Sequence, residues 1–329
     1  MNKYYSEIKS TNSHKTKPKP MGISRRKGWP YLLESGLNLE GALDVNIAPE
    51  DRQIVEIKDL DMLKKNFPLK MGKLENFAAE LALLYESQVL HQIIYTEFNI
   101  NITSLLFYNI SLEEFFSIIF DHLTVKQEEI GGYFSLVPEL NRDSEENLFL
   151  AGLDFCQKLL DRGWIFGISI YGSGEIPLTS YFSRIEQLKS NIKFCLTSRI
   201  DQNKFKEEVS LGSVRRIKYF IWLDDLLETI KKQNLYIEIS PTMDTSLSKY
   251  YSIRDYPFIN YFRSGLPLVV SSGYPEIFGR TVENEFVLLK STYGLTIDEI
   301  KQISLDAVES AFVSETDKIE LRQAIRNKL

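Results

Sequence analysis

Residues 236–279 constrain the fold of this chain more than any other stretch. They read as a buried strand (Tyr236-Ile237-Glu238-Ile239-Ser240), a loop opened by Pro241, a helix over 254–264, a stop at Gly265 and a second buried strand over 266–271. Parallel α/β sheets and barrels are built from such strand–loop–helix–strand units. The same alternation runs through the rest of the chain. Strand patterning falls over 31–39, 92–101, 131–137, 164–171, 191–197, 216–221 and 235–240, with helical spacing over 73–90, 111–126, 144–161 and 178–190. Eight strands alternating with helices predict an α/β fold, a (β/α)8 TIM-type barrel whose chemistry would lie in the loops after the strands. At 329 residues, 43% of them hydrophobic, the chain is long enough for one such barrel, placed over residues 31–329.

Charge separates a leader from this body. Residues 1–30 hold eight of the 39 Lys and Arg but one of the 45 Asp and Glu, with the Ser, Thr, Asn and Pro content of an unordered segment. An acidic body repels a phosphate backbone, so nucleic acid is not an expected partner except through the basic leader. Cys156 and Cys195 form no CxxC pair and lie in apolar runs, so reduced thiols in a cytoplasmic protein are expected. No apolar run approaches the ~18 residues that span a bilayer, and no membrane association is expected.

Several segments, in order, carry a resemblance. They are Glu238-Ile239-Ser240-Pro241-Thr242, Tyr256-Pro257-Phe258, Gly265-Leu266-Pro267-Leu268-Val269 and Pro275-Glu276-Ile277-Phe278-Gly279, followed by Ser304-Leu305-Asp306-Ala307-Val308-Glu309-Ser310-Ala311-Phe312. Together they resemble the C-terminal part of the adenosine deaminase family, zinc-dependent (β/α)8 barrels that hydrolyse the purine 6-amino group. The first strand, Leu33-Glu34-Ser35-Gly36-Leu37-Asn38-Leu39-Glu40-Gly41, then lies along the family's His-x-His segment and puts Gly36 and Asn38 at the two histidine positions. Thr197 falls at the third zinc histidine, Ile200 at the proton-shuttling glutamate and Tyr219 at the histidine that polarises water. Gly273 and Tyr274 fall at the two aspartates after the last strand. The resemblance therefore implies a degenerate member, with no metal ligand at Gly36, Asn38, Thr197 or Gly273 and no catalytic group at Ile200, Tyr219 or Tyr274. Glycine offers no ligand atom and an amide is a poor zinc ligand.

The histidine count agrees with that implication. The chain has three histidines, His14, His91 and His122, and none falls at the C-terminal end of a predicted strand. A mononuclear zinc hydrolase needs about three protein ligands and an open position. No cofactor is expected. Walker, GxGxxG, GxSxG and HExxH motifs are absent. Glu97 reads as a hydrogen-bonding group of the barrel interior, and the pairs Glu113-Glu114, Glu128-Glu129 and Glu145-Glu146 as solvated helix faces.

Three functional classes stay open. In one, the chain is a pseudoenzyme that binds a purine nucleoside or nucleotide, with Gly172, Glu175, Thr242 and Tyr274 lining the pocket. In another it is an interaction or scaffolding subunit whose pocket is filled by Tyr219, Tyr274 and Arg199, with Tyr250, Tyr251 and Tyr256 facing a protein partner. In the third it is a hydrolase with a non-standard site built on Glu97, Glu175 or Asp201.

Overall fold

A computed structural model describes residues 29–39, 73–105, 111–172, 177–188, 191–196, 202–218, 226–247 and 252–328. Of the expected leader, residues 1–30, all but 29 and 30 lie outside them. In chain order the elements begin with β1 (Leu32–Asn38), α1 (Leu74–Leu90), β2 (Ile93–Asn101), α2 (Ile102–Leu105), α3 (Leu112–Ile130), β3 (Tyr133–Asn141) and α4 (Glu146–Asp161). They continue with β4 (Gly167–Gly172), a 3-10 turn, α5 (Phe182–Gln187), β5 (Asn191–Leu196), α6 (Gln202–Glu208), β6 (Val214–Lys218) and α7 (Leu227–Lys232). Last come β7 (Tyr236–Ile239), α8 (Pro241–Leu247), α9 (Phe258–Arg263), β8 (Leu268–Val270), α10 (Pro275–Phe278), α11 (Val282–Tyr293), α12 (Ile297–Ser310) and α13 (Glu315–Asn327).

The eight strands pair in parallel and in sequence order, from β1 to β8. The seam between β8 and β1 carries one bridge, Leu37 to Gly273, and an Asn38 N–H bond to the Gly273 carbonyl at 2.9 Å. This is the expected (β/α)8 barrel. Phe98, Ile100, Ile168, Ile170, Ile217, Ile237 and Val270 point outward and pack in the apolar cluster shared with the helices. Because side chains alternate with period two, their neighbours point inward. The N-terminal end of the barrel is closed by α12 and α13. Ala307, Val308, Ala311 and Leu321 join Leu33, Tyr95 and Val269 in a second apolar cluster there. No helix among the described residues is long and apolar enough to cross a membrane.

Three local readings change. β3 continues past Pro138 to Asn141, because its ladder to β4 begins only at Glu139 and does not need the N–H that proline lacks. The segment opened by Pro241 is helical, not a loop. Proline suits the first helical position, and Asp244 reaches back to accept from the Ser240 N–H at 2.9 Å. Helix α4 begins after Glu145, not at Ser144 where the helical spacing starts. The Asp143 N–H and the Ser144 hydroxyl instead donate to the Asn141 side chain and carbonyl, closing the turn after β3. Ser111 caps α3, accepting from the Glu114 N–H at 3.0 Å.

Candidate functional site

The inward positions of β1, β2 and β5–β8 are mostly polar, where a barrel of this kind usually packs branched apolar side chains. Arg216 and Lys218, two apart on β6, share one face with Lys193 on β5 and Glu238 on β7, and all four are fully buried. Glu238 is the hub. It lies 2.6 Å from Lys218 Nζ, 3.3 Å from Lys193 Nζ and 3.5 Å from Arg216 Nη1. The Ser271 hydroxyl also donates to it at 3.0 Å.

Arg216 connects this hub to two other strands. One of its nitrogens donates to the Ser35 carbonyl at 2.7 Å, and the other to both oxygens of Glu97 at 2.8 and 2.7 Å. Glu97 also accepts from the Tyr95 hydroxyl at 2.7 Å, and Lys193 donates to Asn99 Oδ1 at 3.1 Å. Burial would raise the Glu238 carboxyl, but Lys193, Lys218 and Arg216 outweigh it and hold the group at about 2.

Glu34 has the opposite balance. Its carboxylate accepts from the Ser272 N–H at 3.0 Å and the Gly36 N–H at 3.2 Å, across the seam between β8 and β1. Burial dominates over these bonds and over Lys218, and pushes the carboxyl up to about 7. Asp244 keeps some contact with solvent, yet the atoms packed around it push its carboxyl up to about 7, against the bonds from Tyr256 Oη and Ser240 N.

The two β1 positions singled out by the resemblance sit inside this network. A side chain at Gly36 would begin on top of Glu238 Oε1, and 3.3 Å from Asn99 Nδ2. Asn38 donates its side-chain amide to the Gly273 carbonyl at 2.8 Å, so two of the sequence-predicted positions are bonded to each other. Gly273 has φ +69, and a Cβ there would stand 2.8 Å from Ser240 Oγ. Glycine offers no ligand atom and an amide is a poor zinc ligand, so these positions do not fit a zinc ion. Among the described residues no three His, Cys, Asp or Glu side chains are grouped to hold a metal. His91 lies at the opposite end of the barrel from the strand C-termini, its Nδ1 2.7 Å from the Ser87 carbonyl. His122 lies on outer helix α3.

The predicted pocket residues are placed unevenly. Tyr274 is fully buried and clusters with Tyr171 and Met243. Since β4 stands opposite β8 in an eight-strand barrel, a cluster joining the ends of β4, β7 and β8 crosses the mouth. Gly172 (φ +137) admits the side chains of Arg142 and Asp143, each with an atom 2.6 Å from where its Cβ would be. Arg142 is in turn held by a buried two-pronged pairing with Glu208. The Thr242 N–H donates to Glu285 at 3.0 Å, while the Thr242 hydroxyl is enclosed without a partner. Glu175, Thr197, Arg199, Ile200, Asp201, Tyr219, Tyr250 and Tyr251 lie outside the described residues.

Sequence reasoning missed Lys193, Arg216, Lys218, Glu238, Glu34 and Asn99. A signal for them existed. Each is a charged or amide side chain inside a buried strand, and Arg216-x-Lys218 repeats at the strand period.

The family model for adenosine deaminase matches residues 79–328. Adenosine deaminase from Clostridium botulinum (strain Langeland) is 25% identical over 123 residues, which span 36% of this chain and 37% of that protein. The chain thus matches a little over a third of the length of that curated relative. Among solved structures, adenine deaminase from Arthrobacter aurescens superposes with a TM-score of 0.77 at 18% identity, over 90% of this chain and 98% of that one. Arabidopsis ADAL complexed with IMP superposes with a TM-score of 0.67 at 17% identity, over 82% of each chain.

Proposed function

The chain belongs to the adenosine deaminase family, and from that premise we propose that it is a catalytically inactive member, a pseudoenzyme that binds a purine nucleoside or nucleotide. The observation that carries this reading is Glu238. Its carboxylate, neutralised by Lys193, Lys218 and Arg216, fills the space where a ligating side chain at Gly36 would start. A further cation beside that cluster would meet a net positive charge, since Lys193, Lys218 and Arg216 outnumber Glu238 and Glu97, which argues against metal-assisted deamination. In the register of the resemblance, Ile200 stands at the family's shuttle position and cannot carry a proton, and Tyr219 replaces the histidine that polarises water. Glu97 is committed to Arg216 and Tyr95, which argues against its service as a general base.

The purine part of the proposal draws on the fold shared with ADAL, which is complexed with IMP. Its lining would be Gly172, Glu175, Thr242 and Tyr274. Buried, unpaired Cys156 fits a cytoplasmic setting, and the basic leader offers a contact for an acidic partner. The test is turnover of adenine, adenosine, AMP and N6-methyl-AMP with and without added zinc, alongside thermal shifts with adenosine and IMP. We expect no turnover and a saturable shift with at least one purine. Release of ammonia, or of methylamine from N6-methyl-AMP, that a chelator abolishes would overturn the inactive assignment.

A second reading, an interaction subunit with no small ligand, is favoured by the Tyr171–Met243–Tyr274 cluster across the mouth. Absence of any purine shift, together with a stable complex with another protein, would select it.

A further inference from the structure

Tyr274 closes the mouth of the barrel. Its side chain is fully buried and packs with Tyr171 of β4 and Met243 of α8, with Leu247, Ile277 and Phe278 around the three. The layer below begins at Ser240, whose Oγ stands 2.8 Å from where a Cβ on Gly273 would be, with Met243 Sδ 3.2 Å from the same point. Tyr274 opens a turn that closes on itself. The N–H groups of Ile277 and Phe278 donate to the Tyr274 carbonyl at 3.1 and 3.0 Å, and that of Gly279 to the Pro275 carbonyl at 2.8 Å. A glycine at positive φ stands at each end, Gly273 at +69 and Gly279 at +65, so the turn between them can move as a unit. What holds it is Asn38. Its backbone N–H and its side-chain amide both donate to the Gly273 carbonyl, at 2.9 and 2.8 Å, directly before Tyr274. Rotating the turn outward about Gly273 breaks both bonds.

We infer that Tyr274 is an internal plug latched by Asn38: its ring takes, beside Tyr171 and Met243, the place of a planar ligand, and the turn swings on Gly273 and Gly279 to let one in. The inference rests on the proposed reading of the mouth as the binding site. A ring packed on Tyr171 and the Met243 sulfur gains the contacts a purine base would gain there, so plug and ligand compete for one space. A ligand then binds only the fraction of molecules whose turn is open, and its apparent affinity falls by that fraction.

The test needs no ligand. In the full-length chain, Ser240→Cys places a thiol beneath the plug, since Ser240 is fully buried. Its reaction with N-ethylmaleimide is followed by intact mass, and the labelling of Cys156 and Cys195 in the unsubstituted chain is subtracted. Swinging the turn exposes little surface, so the thiol should label at a rate that does not depend on urea below the unfolding transition. Adding Tyr274→Ala should speed labelling about tenfold or more, because it removes a fully buried ring. Adding Asn38→Leu, which keeps bulk and cannot donate, should speed it about threefold to tenfold. Each is compared with Ser240→Cys alone at urea concentrations that equalise global stability. Labelling that rises steeply with urea, and so follows global unfolding, would overturn the inference, as would an Asn38→Leu or Tyr274→Ala rate equal to that of Ser240→Cys alone. Ser271→Cys, whose hydroxyl lies 2.7 Å from that of Ser240, carries the same measurement should Ser240→Cys not fold. Because no purine takes part, urea-dependent labelling sinks the plug alone, and absence of a purine shift sinks the proposed function alone.

Discussion

Glu34→Gln should stabilise this protein, and should do so only above mildly acidic pH. The native carboxyl is held at about 7 against an ordinary value of 4.5. A carboxyl raised on folding favours the native state while it stays protonated. Between pH 4.5 and 7 the unfolded chain ionises and the native chain does not, so stability falls as pH rises through that window. Above it the full cost is present. At ~1.4 kcal/mol per pH unit, the rise amounts to about 3 kcal/mol. Glutamine removes the ionisation and keeps a carbonyl oxygen for the Ser272 and Gly36 N–H groups, which now bond to Oε1 at 3.0 and 3.2 Å. Urea unfolding of parent and variant at intervals from pH 4.5 to 8.5 isolates the effect, because every other titrating group cancels in the difference. The difference should be near zero at pH 4.5 and should climb to about 3 kcal/mol in favour of the variant above pH 7. A flat difference, or a variant less stable at pH 8, would refute the reasoning. Either result would mean that the seam uses an ionised Glu34 as partner to Lys218.

Other substitutions probe the same interior. Glu238→Gln breaks a buried ion cluster from one side and should cost about 3 kcal/mol at pH 7. Because the Glu238 carboxyl is held at about 2, its contribution is present above pH 4.5 and lost as pH falls towards 2. The variant should therefore show a shallower acid limb than the parent in a denaturation series. Gly273→Ala forces φ +69 on a side-chain residue and brings Cβ within 2.8 Å of Ser240 Oγ. A loss of about 2 kcal/mol is expected in urea unfolding, and an unchanged midpoint would contradict the tight packing there. Gly167→Ala drives a methyl into the Phe312 ring, with Cε2 2.8 Å away. It should cost about 2 kcal/mol, part of which Phe312→Leu in the same chain should restore.

Much of the architecture was legible from Tyr236–Ile239 and its seven counterparts, because an outward apolar face against helices leaves a period-two signature in each strand. The ends of elements were less legible. The strand pattern over 131–137 stopped short of Asn141 because the sequence does not say which side of β3 lacks a ladder partner at Pro138. Pro241 looked like a loop for want of the Asp244 return bond. The interior cluster was hidden for a different reason. Lys193 reads as one polar residue in an apolar strand, and only barrel closure shows that it faces Glu238, 45 positions later. Gly36 could be read as lacking a ligand atom, but not as lacking room. That second fact belongs to a glutamate some two hundred residues away.

The way α12 and α13 close the barrel bears on how the chain matures during synthesis. The Phe312 ring lies 4.7 Å beneath the Arg216 guanidinium, and the Phe312 N–H donates to Tyr95 Oη at 3.1 Å. Until Phe312 has left the ribosome, Arg216 and Glu97 have no lid on that side and remain open to water. Strands β1 to β8 can emerge and pair earlier, but the interior cannot be dried before the last few dozen residues arrive. Between the synthesis of β8 and that of Phe312 the nascent chain is a hydrated, unsealed barrel, a state exposed to chaperones and proteases. A C-terminal deletion that removes α13 and Phe312 would leave it there.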